Sequence, residues 1–99
     1  MQILVMMNLK EGVSQENLAP YMKEEVKHTL EAYLNGSIRN FWMRSDDKLG
    51  AVFMLESNSV QEATKTMGEL PFVVSGLTEL EIIPLQPLKP LGSLIGKTM

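Results

Sequence analysis

The order of signals between Ser37 and Leu85 leaves few folds open. SIRNFWMR and GAVFMLES read as two strands joined by the turn SDDKLG. Ser59-Val60-Gln61-Glu62 then forms a capping box: the serine oxygen meets the amide three residues on, and Glu62 reaches back. The helix it opens carries Val60, Ala63, Met67 and Leu70 on one side, and Pro71 ends it. Gly76 supplies a turn. Thr78 to Pro84 alternates as a last strand, with Leu80 and Ile82 on one face and Glu79, Glu81 and Ile83 on the other.

One strand and one helix precede this run. Gln2 to Leu9 is apolar on both faces, the pattern of a central strand. EGVSQENLAPYMKEEVKHTLEAYLNG comes next, with Leu18, Met22, Val26, Leu30 and Leu34 recurring every four residues. That stripe predicts an amphipathic helix capped by Ser14 or Asn17, with Pro20 confined to its first turn and Asn35-Gly36 as its stop. The whole order is β-α-β-β-α-β, a split βαβ unit of the ferredoxin-like class. The expected protomer is α+β, a four-stranded antiparallel sheet with two helices on one face. Residues 1–85 make this domain, and 99 residues make no second one. The sheet's edges and open face argue for a homodimer or a larger homo-oligomer.

Residues 86–99 form a Pro/Leu-rich arm. Pro84-Leu85-Gln86, Pro87-Leu88-Lys89 and Pro90-Leu91-Gly92 are three tandem P-L-x triplets, and Leu94 extends the spacing. An extended polyproline helix has three residues per turn, so these leucines would line one edge of a rod. Such an edge calls for packing, either on its own domain or on a neighbouring subunit.

Several functions are disfavoured by composition. The net charge is −3 and no basic stripe exists, which argues against nucleic acid. No apolar run reaches the ~20 residues that span a bilayer. The apolar N-terminus lacks a basic leader and a small-residue cleavage site, so it reads as a strand. With no cysteine, disulfides, iron–sulfur clusters and thiolate zinc sites are out, and the expected location is the cytoplasm. The single histidine, His28, falls opposite the leucine stripe and is expected in solvent; no metal site is expected. Glu24-Glu25 reads as helix surface and Asp46-Asp47 as an exposed turn. Met6, Met7, Met22, Met54 and Met67 fall at core-like positions. No phosphate-binding glycine pattern or hydrolase motif is present.

The strand Ser37 to Arg44 carries the chemistry. Alternation places Ile38, Asn40, Trp42 and Arg44 on one face and Ser37, Arg39, Phe41 and Met43 on the other. Charge and a large ring on one short strand suit a pocket for a partly apolar carboxylate, arginine supplying a bidentate grip and tryptophan a packing surface. The competing reading is an edge strand whose arginines pair with Glu56, Glu79 or Glu81 across an interface.

The run from Glu31 to Leu85 resembles the muconolactone isomerase-like family of the dimeric α+β barrel superfamily. The resemblance rests on I-R-x-F-W-x-R (Ile38 to Arg44), G-A-V-F-x-L-E (Gly50 to Glu56), S-V-Q-E-A (Ser59 to Ala63) and L-P-F-V-V-S-G-L (Leu70 to Leu77) leading into E-I-I-P-L. It implies protomers whose sheets pair into a barrel, and a cofactor-independent enzyme. That enzyme would move a proton within a small cyclic or aromatic-derived carboxylate. On that reading Arg44 and Arg39 hold the anionic group, and Trp42, Tyr33 and Asn40 line the pocket. Glu56 relays the proton if burial raises its pKa. The alternatives are a non-catalytic ligand-binding or assembly protein on the same barrel and, further off, a cofactor-free monooxygenase. The tail and His28 set the chain apart from a straightforward muconolactone isomerase.

Overall fold

A computed structural model describes residues 1–96. Four strands form one antiparallel sheet: β1 (Gln2–Leu9), β2 (Ile38–Met43), β3 (Gly50–Glu56) and β4 (Thr78–Pro84), in the order β2-β3-β1-β4. The helices lie on one face of it. They are α1 (Gln15–Leu18), α2 (Met22–Leu34), α3 (Val60–Gly68) and α4 (Pro71–Val74). This is the expected α+β architecture, with β1 central. No helix among the described residues is long and apolar enough to cross a membrane.

Local chemistry explains the boundaries. The Asn17 side-chain oxygen accepts the Ser14 N–H at 2.8 Å and starts the first helical turn. Pro20 then interrupts it: Ala19–Tyr21 winds as a 3₁₀ turn, and regular α-helix resumes only at Met22. Gly36 follows Asn35 with φ +87°, a left-handed position that glycine fills without strain. Ser59 Oγ accepts the Glu62 N–H at 3.0 Å at the start of α3. Pro71 does more than end α3, because it opens the short α4 that the sequence pattern did not suggest.

The core lies between sheet and helices. Ile3, Val5 and Met7 of β1, Phe53 and Leu55 of β3 and Ile38 of β2 meet Ala32, Ala63, Met67 and Leu70. Fully burying an aliphatic side chain of this size is worth roughly 1.5–3 kcal/mol. The opposite sheet face carries none of these four helices. Register sets Trp42 against Val52 and Val52 against Met6; it sets Met54 against Leu4 and Leu4 against Ile83. An apolar patch thus covers the middle of the open face, with Asn40 of β2 and Glu81 of β4 at the polar ends of its two rows.

Four expectations are corrected here. First, a bulge between Ile38 and Asn40 adds a residue to β2. Ile38 therefore shares the helix-side face with Phe41 and Met43, while Asn40 and Trp42 face the open side. Second, the stripe Met22, Val26, Leu30 and Leu34 is not the buried face of α2. Steps of four residues advance about 400° at about 100° each, so Leu34 lies roughly 160° around from Leu18. Leu18 is buried, Met22, Val26 and Leu30 are about half exposed, and Leu34 is 83% exposed. The face that meets the sheet runs through Glu25, Thr29 and Ala32. Third, His28 is only partly in solvent: its side chain is 43% exposed, 3.9 Å from Glu24, in a surface dent with Asn35, Thr66 and Glu69. Fourth, the tail is not an extended rod over its length: Lys89–Ile95 is a 3₁₀ helix.

Candidate functional site

Rotating the leucine stripe away from the sheet leaves a cleft between α2 and the β2-β3-β1 side of the sheet. Its floor is Met7, Ala51, Phe53, Phe41 and Met43, and its roof is Met22, Glu25, Val26, Thr29 and Leu30. Two adjoining lobes, of about 390 Å³ and 380 Å³, share Met7, Met43, Ala51 and Phe72. Each falls in the size range of small-ligand sites, and the walls are overwhelmingly apolar. Gly50 sits at the floor because nothing larger fits: a Cβ there would collide with the Met7 carbonyl.

Glu25 is the carboxyl in this largely apolar space. It is only 6% exposed. Its Oε1 accepts the Phe72 N–H at 2.8 Å, one of the amides that the first turn of α4 leaves without a helical partner. The same Phe72 residue is gripped from the other side, its carbonyl accepting Thr78 Oγ1–H at 2.9 Å and Ser75 Oγ–H at 3.1 Å. Burial pushes the Glu25 carboxyl above its ordinary value; the Phe72 hydrogen bond and nearby His28 oppose that only in part. An acid whose pKa is raised keeps its proton into a higher pH range, which suits a group that gives and takes a proton.

The sequence-derived candidates are divided between the two sides of the sheet. Tyr33 is on the helix side, its ring edge-on to Phe41 with centroids 5.9 Å apart. Asn40 and Trp42 alternate to the open side, Trp42 52% exposed, but Trp42 also borders the second lobe of the cleft between Phe41 and Met43. Arg39 is exposed at the bulge. Arg44 borders the cleft at Gly50, where its backbone N–H donates to the Gly50 carbonyl. Its guanidinium is engaged: Nε and Nη2 donate to the two oxygens of Asp46 at 3.0 and 2.5 Å, and Nη1 donates to Asn8 Oδ1 at 3.0 Å. That fork holds the Arg44 charge more firmly and drops the Asp46 pKa below the usual carboxylate range. Glu56 ends β3, six residues from Gly50 and so roughly 20 Å from Arg44's anchor. There it pairs with the N-terminal ammonium at 3.1 Å. Arg44 and Glu56 are therefore not brought together within one protomer.

Glu25 was the residue that sequence reasoning missed. The signal was its spacing: Leu18, Glu25, Thr29 and Ala32 keep to one side of the helix, at steps of seven, four and three.

A two-layer α+β sandwich with an apolar cleft and one buried carboxyl defines the class. No family model matches the chain, and none of the curated proteins compared with it matches. Solved structures do. The chain has the fold of muconolactone isomerase, with a TM-score of 0.68 and 20% identity over 89% of this chain and 93% of that one. It also has the fold of 5-chloro-2-hydroxyhydroquinone dehydrochlorinase from Burkholderia phenoliruptrix, solved with 2,5-dihydroxybenzoquinone: TM-score 0.64, 18% identity, 87% and 94% coverage. A NIPSNAP domain protein from Burkholderia xenovorans matches at a TM-score of 0.52 and 12% identity over 89% and 97%. The expected fold is borne out by these likenesses.

Proposed function

We propose that the chain is a cofactor-independent proton-transfer enzyme for a small cyclic, oxygen-bearing substrate derived from an aromatic ring, and that Glu25 is its acid–base group. The observation that carries this reading is Glu25 itself, a carboxyl buried in an apolar, ligand-sized cleft with its pKa raised. The likeness to muconolactone isomerase and to a dehydrochlorinase solved with a benzoquinone supports the substrate class. Glu25 takes the relay role in place of Glu56, which lies at the far end of β3 in an ion pair with the chain terminus. Arg44, at the cleft's inner end, serves as the anion-holding group by exchanging Asp46 for a substrate carboxylate. Phe41 and Met43 form the apolar wall, and Tyr33 buttresses Phe41.

The test is isotope exchange. Unsaturated lactone carboxylates and hydroxyquinols are incubated with the protein in D₂O, and incorporation at carbon is followed by NMR. Exchange or isomerisation that Glu25→Gln removes, with the fold intact by circular dichroism, is the expected result. Turnover that survives in Glu25→Gln, or no exchange across the series, rejects the assignment.

A second reading has its own support. Arg44 is already satisfied by Asp46 and Asn8, which suits a binding or assembly protein. In that case ligands would bind without exchange, and Glu25→Gln would leave their affinity unchanged. On either reading the protein is a homo-oligomer. The open sheet face, with Leu4, Met6, Trp42, Val52, Met54 and Ile83, packs on the same face of a second copy to close a barrel.

A further inference from the structure

Among the described residues, two apolar surfaces besides the open sheet face stand open to solvent, and they match. The first is the outer wall of the cleft, where Met22, Val26 and Leu30 stand about half exposed along α2 beside Phe41 and Met43 of β2. The second is the C-terminal arm. Leu91 and Leu94 lie in its 3₁₀ helix and Leu88 stands just before it, its carbonyl accepting the Leu91 N–H at 3.0 Å, so the three, each three residues apart, follow one edge. Leu88 is 68% exposed and Leu94 79%. Their spacing is about 6 Å, three residues at about 2.0 Å each. The α2 row repeats every four residues at about 1.5 Å each, also about 6 Å. The α2 row turns about 80° from Met22 to Leu30, so the two ridges of equal spacing can interdigitate over that short run.

The arm does not reach its own cleft. It leaves β4 at Pro84, on the edge of the sheet opposite β2, about 14 Å across three strand spacings. It also leaves from the end of β4 farther from Gly50 and Arg44: Pro84 pairs with Ile3, whereas Thr78, near the inner end of the cleft, pairs with Leu9. The Leu85 N–H donates to the Gln2 carbonyl at 3.0 Å and fixes that exit. The arm then projects. The radius of gyration is 15.8 Å, against about 13 Å for a compact chain of this length, and the longest extent is 54 Å.

We propose that the arm of a second copy of this chain seats its leucine edge on the α2–β2 wall and closes the outer side of the Glu25 cleft. The cleft is thus completed in trans: Leu88, Leu91 and Leu94 of one copy cover Met22, Val26 and Leu30 of another. The inference rests on the cleft as the site and names its missing wall. It also predicts that the deeper lobe, between Leu18, Leu49 and Phe72, stays the way in.

The chain has no cysteine, so introduced ones report cleanly. One full-length chain carries Val26→Cys and a purification tag; another carries Leu91→Cys without a tag. The two are mixed, allowed to exchange subunits, and treated with a short bismaleimide. The expected product is a cross-linked heterodimer. Adding Leu88→Asp and Leu94→Asp to the second chain should lower its yield by about tenfold or more, since each 1.4 kcal/mol lost from the contact is tenfold in affinity. A control pair with Glu62→Cys on α3 should give none. Failure of the mixture to cross-link, with both chains folded by circular dichroism, overturns the proposal. So does a double variant in one chain that cross-links only as a monomer. Cross-linking needs no turnover, so this test and the Glu25→Gln exchange test fail independently.

Discussion

Replacing Glu25 by glutamine and by alanine should move stability in opposite ways. Glutamine keeps an oxygen where Oε1 accepts the Phe72 N–H, so the first turn of α4 stays satisfied. Alanine leaves that amide unpartnered and hollows the roof of the cleft. The lost hydrogen bond and stranded donor cost about 1–3 kcal/mol, and removing the side chain's methylenes adds to this. A net loss of about 2–3 kcal/mol would lower Tm by about 10–20 °C for a domain of this size. The glutamine variant carries a further signature in pH. The folded-state pKa of Glu25 is raised, so the wild type binds this proton more tightly folded than unfolded. The stabilisation this gives is complete below the ordinary value of 4.5 and is lost as pH rises through the folded pKa. Tm of Glu25→Gln minus that of the wild type should therefore grow as pH rises from about 4.5 through the folded pKa and then level off. Thermal unfolding by circular dichroism at several pH values, at one protein concentration because association also shifts Tm, measures it. A difference that is flat with pH, or glutamine as damaging as alanine, would refute the buried-acid reasoning.

Gly50→Ala should destabilise by roughly 1–3 kcal/mol in urea unfolding, because its Cβ runs into the Met7 carbonyl between two paired strands. Asp46→Asn should leave Tm nearly unchanged, since the Asp46 side of the pair is exposed. Titration calorimetry should show that variant binding a small cyclic carboxylate more tightly if Arg44 is the anion-holding group. Leu4→Lys puts a charge between Met54 and Ile83 on the open sheet face, and light scattering should show the assembly mass fall; an unchanged mass would argue against face-to-face pairing.

The architecture was written in local signals. Ser59 three residues before Glu62, Gly36 after the helix stop and the alternation of Leu80 and Ile82 against Glu79 and Glu81 each act within a few residues. The candidate site depends on longer reach. Glu25 sits beside Glu24 in an acidic stretch and looks solvated. Only the arrival of α4, 47 residues later, gives it a buried donor to accept. The leucine row misled because a four-residue repeat winds around a helix instead of keeping to one face. On β2 a single extra residue at the bulge reverses the parity of every later position in the strand, so Ile38 parts from Asn40 and Trp42.

That bulge has a consequence for how copies of the chain can add to one another. A sheet with two regular free edges can recruit strands without limit, the route to ribbons and fibrils. Here the β2 edge loses its even ladder at Arg39, and the β4 edge ends in Pro84, which has no amide hydrogen to offer. Growth strand by strand is disfavoured at both borders. On the pairing proposed above, association would use two broad apolar surfaces and an arm, each consumed once it finds its counterpart, and such an assembly would stop at a finite number of subunits.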